Sequence, residues 1–301
     1  MKICNRDVLY TYHSKENKPS MSVDIGEIFA VQTQLCTGDW LQSAGDTWHP
    51  DKNRGPNPTN CIEVIGAKKG DILAVDILDI EVDNIGYTGF ASWKNPPSQQ
   101  IYPNEWGILY KVVRIENGEI LWSDSLRLPV EPMVGTLGIA PSGDPVSNRE
   151  AGNYGGNMDI QEVKPGATVY LNVQVDGALL HVGDVHAIMG DGEINRAGGI
   201  ECRGKVTLRT HLLPGNENFK WVRMEDEKCI MAAAFCTTME EAFYQATGEL
   251  IRWMEEAYGI APQEAYLLLG QVMAGRSTAV VNTQMPYICK IAKKYLPDKR
   301  I

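Results

Sequence analysis

No stretch of the 301-residue sequence approaches the roughly 18 consecutive apolar residues of a membrane-spanning helix. Basic residues are in deficit, 28 Lys and Arg against 38 Asp and Glu, for a formal charge of −10. That balance argues against nucleic acid or an anionic membrane as partner, since both demand a basic footprint. The first twenty residues, MKICNRDVLYTYHSKENKPS, turn polar too soon for the apolar core of a secretory signal. Seven cysteines are scattered without a CxxC pair, which suits reduced thiols in a cytoplasm better than a disulfide framework or a zinc–cysteine cage. Five histidines are too few for a polyhistidine metal cage. No GK[ST] phosphate loop and no G-x-S-x-G nucleophile elbow occurs. The expectation from composition is a soluble cytoplasmic globular protein, and no more.

What is present, from Val23 to about Lys228, is a series of short apolar runs punctuated by Gly, Pro, Asn and Asp. Residues 28–34, 72–80, 101–115, 120–128, 168–175, 179–188 and 205–212 read as strands, several of them alternating. Such closely spaced strands imply a mainly β fold of sandwich-like or barrel-like sheets. Glu116-Asn117-Gly118 is the signature of a hairpin turn. Two long loops, 42–60 and 138–158, interrupt the strands, and loops of that length are often functional. The pattern changes after Cys236. Thr238-x-x-Glu241 is a capping box, followed by Phe243, Ala246, Leu250, Trp253 and Met254 at helical spacing, with Gly259 placed to end the helix. Pro262 opens a second helix, 277–284 reads as a strand and 288–295 as a short basic helix. The division expected is a β-rich domain over 1–228 that carries the site, with a small α/β subdomain, 229–301, packed on it.

The chemistry concentrates in LLHVGDVHAIMGDGE, residues 179–193. On a strand, Asp184 and His186 leave the same face. Asp191-Gly192 reads as a two-residue hairpin turn, which would put Glu193 on that face as well. Glu193 is nonetheless roughly 13 Å along the strand from His186, so it can join them only if the ladder bends, as Gly190 and Gly192 would allow. A second polar cluster, Asn153-Tyr154-Gly155-Gly156-Asn157-Met158-Asp159, offers close backbone approach at its glycines and oxygen donors at Asn157 and Asp159. An ordinary glycine-rich turn is the plain alternative for it. Asp159, Asp184 and His186 would supply three protein ligands to a divalent metal, zinc first and calcium second. Such an ion lowers the pKa of its water toward about 7 and polarises a carbonyl, and Glu193 would be the general base. Cys36 and Cys202 are candidate thiol nucleophiles, although buried structural cysteine is the commoner role. Glu201 is a weaker carboxylate candidate, and Asp46 and His49 lie on a loop with no role fixed by spacing.

Several blocks together resemble the acetamidase/formamidase family. GDVHAIMGDGEI (183–194) is similar to its GD-x-H-a-x-x-GDGE block, and GGNMDI (155–160) to its GGNMD element. PGATVYLNVQVDGALLHVGD (165–184) resembles the joining segment, and NPTNCIEVIGAKKGDILAVDILDI (57–80) its N-terminal NP-x-TGP…GA-x-x-GD stretch. The resemblance implies hydrolysis of a small linear carboxamide, formamide-like or acetamide-like, to a carboxylate and ammonia. It also implies a mostly β fold with a small α/β part, a divalent metal near the two central motifs, and a homodimer. On matching positions the site comprises Asn157, Asp159, Asp184, His186, Asp191 and Glu193, with Gly156 added as a candidate substrate contact. Of these, Asp191 joins His186 and Glu193 as a catalytic candidate, and Gly156 and Asn157 are assigned to substrate. The chain departs from the family where an E-T-x-D-C-like element becomes Gln32-Thr33-Gln34-Leu35-Cys36, and where Glu63 replaces an aromatic residue. Two acids are lost there. A ligand-binding protein without amide hydrolysis is therefore the rival expectation, and a thiol amidase using Cys36 or Cys202 the third.

Overall fold

A computed structural model describes residues 1–102 and 106–300. Among these residues, 18 strands join into one continuous sheet and two more form a small separate ladder. The fold is mainly β, as the alternation and turn spacing imply. Six strands carry the site: β1 (Ile28–Gln32), β2 (Thr59–Val64), β3 (Ile72–Ala91), β4 (Met133–Ile139), β5 (Leu180–Met189) and β6 (Ala197–Leu213). The long strands β3 and β6 pair antiparallel with each other and change their other partners along their length. β5 lies between neighbours on both edges, β4 on one, β2 and β6 on the other. Nearly every side chain of β5 is buried. A polar residue placed on it therefore needs a partner supplied by the fold.

Local chemistry sets several boundaries. Asn117 and Gly118 both take positive φ between paired Glu116 and Glu119, the geometry a two-residue hairpin turn requires. α1 (Met239–Tyr258) starts where Thr238 Oγ1 accepts from the Glu241 amide at 3.2 Å, and it ends at Gly259 with φ 67°. It buries Ala246, Leu250, Trp253 and Met254 against Ile230, Ala232 and Ala234 of the strand Cys229–Cys236. α2 (Pro262–Val272) has its proline in the first turn. The strand Cys229–Cys236 also pairs with Val222–Glu225, so the ladder runs through residue 228.

Four local expectations are corrected. Residues 288–295 do not form a helix: Met285–Ala292 is a strand whose eight residues all pair with Cys229–Cys236, and only Lys293–Tyr295 turn as a 3-10 helix. Tertiary pairing overrides local propensity there. Residues 277–284 are irregular, and the short strand precedes them at Ala274–Arg276. The run 120–128 is two strands, Glu119–Leu121 and Arg127–Pro129, paired across a turn in which Ser123 Oγ accepts from the Leu126 amide. The strand expected from 101 begins only at Ile108, because Asn95 caps a helix over Pro96–Ile101; residues 103–105 of that expectation lie outside the described residues.

Candidate metal centre

His186 stands on β5 opposite Glu201 of β6 and opposite Met133 of β4. Its Nε2 lies 3.2 Å from Glu201 Oε2 and 3.5 Å from Asp184 Oδ1, and all three side chains are almost fully buried. Asp184 adopts φ 60° in mid-strand, a left-handed conformation that costs a non-glycine residue about 1 kcal/mol or more. Gly135 of β4 makes room beside it: a Cβ there would stand 2.7 Å from both Asp159 Oδ1 and Asp184 Oδ2. Two acids can converge at this point only because that residue has no side chain.

The loop from β5 to β6 is longer than an Asp-Gly hairpin. Met189 pairs with Gly199, so the two-residue turn expected at Asp191-Gly192 is corrected to a wide connection. Glu193, at φ 38°, folds back from it and is buried. One ligand atom each from Asp159, His186 and Glu193 fall within 4.8 Å of one another, as do those of Cys36, Asp184 and Glu201. Asp191, by contrast, faces outward and bonds to Arg276 and Gln161. The structure thus gathers Asp159, Asp184, His186 and Glu193, and leaves Asp191 outside. Cys202 is buried on β6 with its thiol toward the Val185 carbonyl.

A ring of neutral polar groups orients the acids. Asn57 Nδ2 donates to Asp184 Oδ2 at 2.9 Å and Thr136 Oγ1 to the same oxygen at 3.1 Å. Asn157 Nδ2 and Asn282 Nδ2 donate to Asp159 Oδ2 at 3.0 and 2.6 Å. Asn157 Oδ1 in turn accepts from Asn57 and shares the Thr136 hydroxyl proton with Asp184. Gly156 sits with positive φ on a short strand, Gly155–Asn157, that pairs with β4, so its backbone is committed to the sheet.

The remaining atoms have no such partners. Asp159 Oδ1, Asp184 Oδ1, Glu193 Oε2, Glu201 Oε2 and both ring nitrogens of His186 are buried without a hydrogen bond. Among the described residues, His186 is the one basic side chain in ion-pair reach of the four carboxylates. Burial, and then Asp184, push the Asp159 carboxyl up to about 6; burial, and then Glu201, do the same to Asp184. Glu193 is held well above the usual carboxylate range by burial and then Asp159. Burial alone would lower the His186 pKa, but Glu201 and then Asp184 outweigh it and hold the imidazole well above its ordinary value. An acidic pocket of this kind must take up protons or a cation. Unpaired donor atoms of this type fit a divalent ion.

The site floors a cavity of about 420 Å³ whose walls include Trp48, Tyr87, Phe90 and Asn282. Tyr87 OH bonds to Thr37 Oγ1 at 2.9 Å and approaches Cys36 Sγ at 3.5 Å. Burial, followed by Glu201 and Asp184, pushes the Cys36 thiol well above its usual range, so it is a poor thiolate as it stands.

Residues 140–298 match the family model described as the Acetamidase/Formamidase family. A crystal structure of acetamidase from Bacillus halodurans superposes with a TM-score of 0.89 at 31% identity, covering 97% of this chain and 98% of that one. The chain belongs to the acetamidase/formamidase family. An acetamidase structure from Yersinia enterocolitica gives a TM-score of 0.88 at 26% identity over 99% of this chain and 93% of that one. An acetamidase of Mycolicibacterium smegmatis is 29% identical over 213 residues, 51% of this chain and 52% of that protein. The chain spans about half to three fifths of the length of the curated relatives it matches.

The family's altered N-terminal element reaches the cavity. Leu35 is buried with Leu41, Trp48 and Tyr87, and Cys36 next to it lines the cavity. Glu63 lies elsewhere, half-buried and accepting from Ser22 Oγ at 2.7 Å. Sequence reasoning ranked Glu201 low and missed Asn57, Thr136 and Asn282. Only strand register and the return of the C-terminal segment bring these to the site. No helix among the described residues is long and apolar enough to cross a membrane.

Proposed function

We propose that the chain is an amidohydrolase that cleaves a small carboxamide to a carboxylate and ammonia, with a divalent ion held by Asp159, Asp184, His186 and Glu201. The observation that carries this reading is that Asp159, Asp184, Glu193 and Glu201, clustered with His186, each keep a buried carboxylate oxygen without a hydrogen bond and line an open cavity. When bound, the ion supplies electrophilic assistance to the amide carbonyl and acidifies water. Zinc suits a donor set that mixes imidazole, carboxylate and the nearby Cys36 thiol better than calcium, which prefers oxygen alone.

The chain's own residues then divide the work. Glu193, on a loop held by Arg276 and Val280, takes the proton from the attacking water and returns it to the departing nitrogen. Its raised proton affinity in a buried pocket suits it to both halves of that transfer. The Asn57 and Asn157 amides and the Thr136 hydroxyl fix the Asp184 and Asp159 carboxylates, so that little reorganisation remains at the moment of reaction. Tyr87 and Trp48 restrict water on one wall of the cavity. Family likeness extends the reading to a homodimer, and the free cysteines suit a reducing cytoplasm. One observation favours a second reading, ligand binding without turnover: Leu35 puts an apolar side chain where the family pattern has an acid, beside the cavity. Incubation with a panel of short carboxamides, following ammonia and carboxylate together, separates the two. Equimolar formation of both supports hydrolysis, and neither product from any amide refutes it.

A further inference from the structure

The cavity changes character from floor to mouth. Its floor is acidic, its walls carry Trp48 and Phe90, and exposed Lys94, Arg149 and Arg196 also line it. Among the described residues none of these three cations makes a salt bridge, although the chain carries ten more acids than bases (38 less 28). Arg196 donates to the Lys94 carbonyl oxygen at 3.1 Å, which holds the two segments together but neutralises nothing. Burial, and then the charge of Arg149, hold the Arg196 guanidinium below its usual range, and both arginines line the same cavity. Like charges that converge without a partner carry an electrostatic cost that a bound anion relieves. A cavity of about 420 Å³ also falls in the range that takes drug-sized ligands, far more room than formamide or acetamide fills.

We propose that the preferred substrate is an amide whose acyl chain ends in an anionic group, in the simplest case a carboxylate, seated against Arg149 and Arg196. The carboxamide end reaches the acidic floor, while Trp48 and Phe90 pack on the methylenes between. This assignment rests on the amide-hydrolysis reading above. The arginines at the mouth sort the two ends, because they attract a carboxylate and not a neutral carboxamide. The reaction consumes one water. The C–N bond breaks, a C–O bond forms, the nitrogen leaves as ammonia and takes a proton to become ammonium, and the organic product is a dicarboxylate.

The test compares kcat/KM for succinamate with that for its uncharged methyl ester, at low and high salt. The charged substrate is expected to lead by about tenfold at low salt, with the lead shrinking as salt screens the arginines. The double variant Arg149→Glu, Arg196→Glu should bring that ratio below one. A ratio near one, or a ratio that charge reversal leaves unchanged, overturns this inference while leaving amide hydrolysis standing. Ammonia from neither substrate, nor from any simple amide, overturns both.

Discussion

Arg276 and Asp191 stand 85 residues apart in sequence and 2.7 Å apart in space, Nε to Oδ1. The same guanidinium donates to both carboxylate oxygens of Glu162, at 2.9 and 2.8 Å, and to Gln161 Oε1 at 3.0 Å. Gln161 closes the set by donating to Asp191 Oδ1 at 3.0 Å. Glu162 follows Asp159 by three residues, and Asp191 precedes Glu193 by two. Arg276 therefore ties the segment that delivers Asp159 to the loop that delivers Glu193. The Val280 amide bonds to the Gly192 carbonyl at 2.8 Å and holds the same loop from the other side.

Asp191 is on this geometry a positioning residue. Asp191→Asn and Arg276→Ala should each lower kcat by roughly ten- to hundredfold through misplacement of Glu193, with a smaller effect on KM. Arg276→Lys keeps the charge but not the planar fork, so it should recover only part. Steady-state kinetics beside thermal melts check this. A loss of activity that merely tracks loss of fold would count against positioning.

Glu162 makes a separate prediction about acid stability. Burial alone would raise its pKa, but hydrogen bonds from Arg276 and then Lys290 outweigh that and hold it below the usual carboxylate range. A depressed folded-state pKa gives stability that is present above the unfolded value and is lost as pH falls through the folded one. Glu162→Gln should therefore cost about 2 kcal/mol at neutral pH. The gap to the parent should close as pH drops below the ordinary carboxylate range. Denaturant melts across pH measure it, and a gap that widens in acid would contradict the assignment.

Gly135 tests the crowding of the two acids directly. In Gly135→Ala the new methyl would meet Asp159 Oδ1 and Asp184 Oδ2 at 2.7 Å, closer than real Cβ contacts come. The carboxylates must then part. Affinity for a divalent ion, read by isothermal titration, should fall by about tenfold or more.

A bound cation should also stabilise the fold, because it relieves charge that His186 alone cannot balance. At a hundredfold excess over its Kd it contributes about 2.7 kcal/mol. Chelation is expected to lower the thermal midpoint by about 5 °C or more, reversibly on return of the ion.

The legible part of the site was the part written along one strand. Asp184 and His186 share a face through simple alternation, and the need for Glu193 to bend inward followed from the same rise per residue. The Thr238 cap and the Asn117-Gly118 turn were legible because each is decided within four residues. Glu201 was not, since its partnership with His186 depends on the register of β5 against β6, a pairing that many sequences with similar alternation could shift. The left-handed Asp184 and the bare Gly135 opposite it depend on two strands at once. Asn282 reaches Asp159 from a segment that reads as a strand but is irregular, and its irregularity is what frees the side chain to turn. Residues 288–295 read as a short basic helix because the strand at Met285–Ala292 is decided by its pairing with Cys229–Cys236, far away in sequence.

On the proposed reading, the buried carboxylate and histidine cluster binds a divalent ion and hydrolyses amides with it. Ammonia release from formamide, acetamide and succinamate should be measured on purified protein as isolated, after chelation, and after return of zinc or calcium, with metal equivalents counted at each stage. The expected result is release that disappears with the ion and returns with it, and that falls below about one hundredth in a His186→Ala protein that still melts cooperatively. Release that ignores chelation and stops when Cys36 is alkylated would move the chemistry to the thiol. No release from protein that carries its ion would contradict hydrolysis altogether and leave the cavity as a binding site.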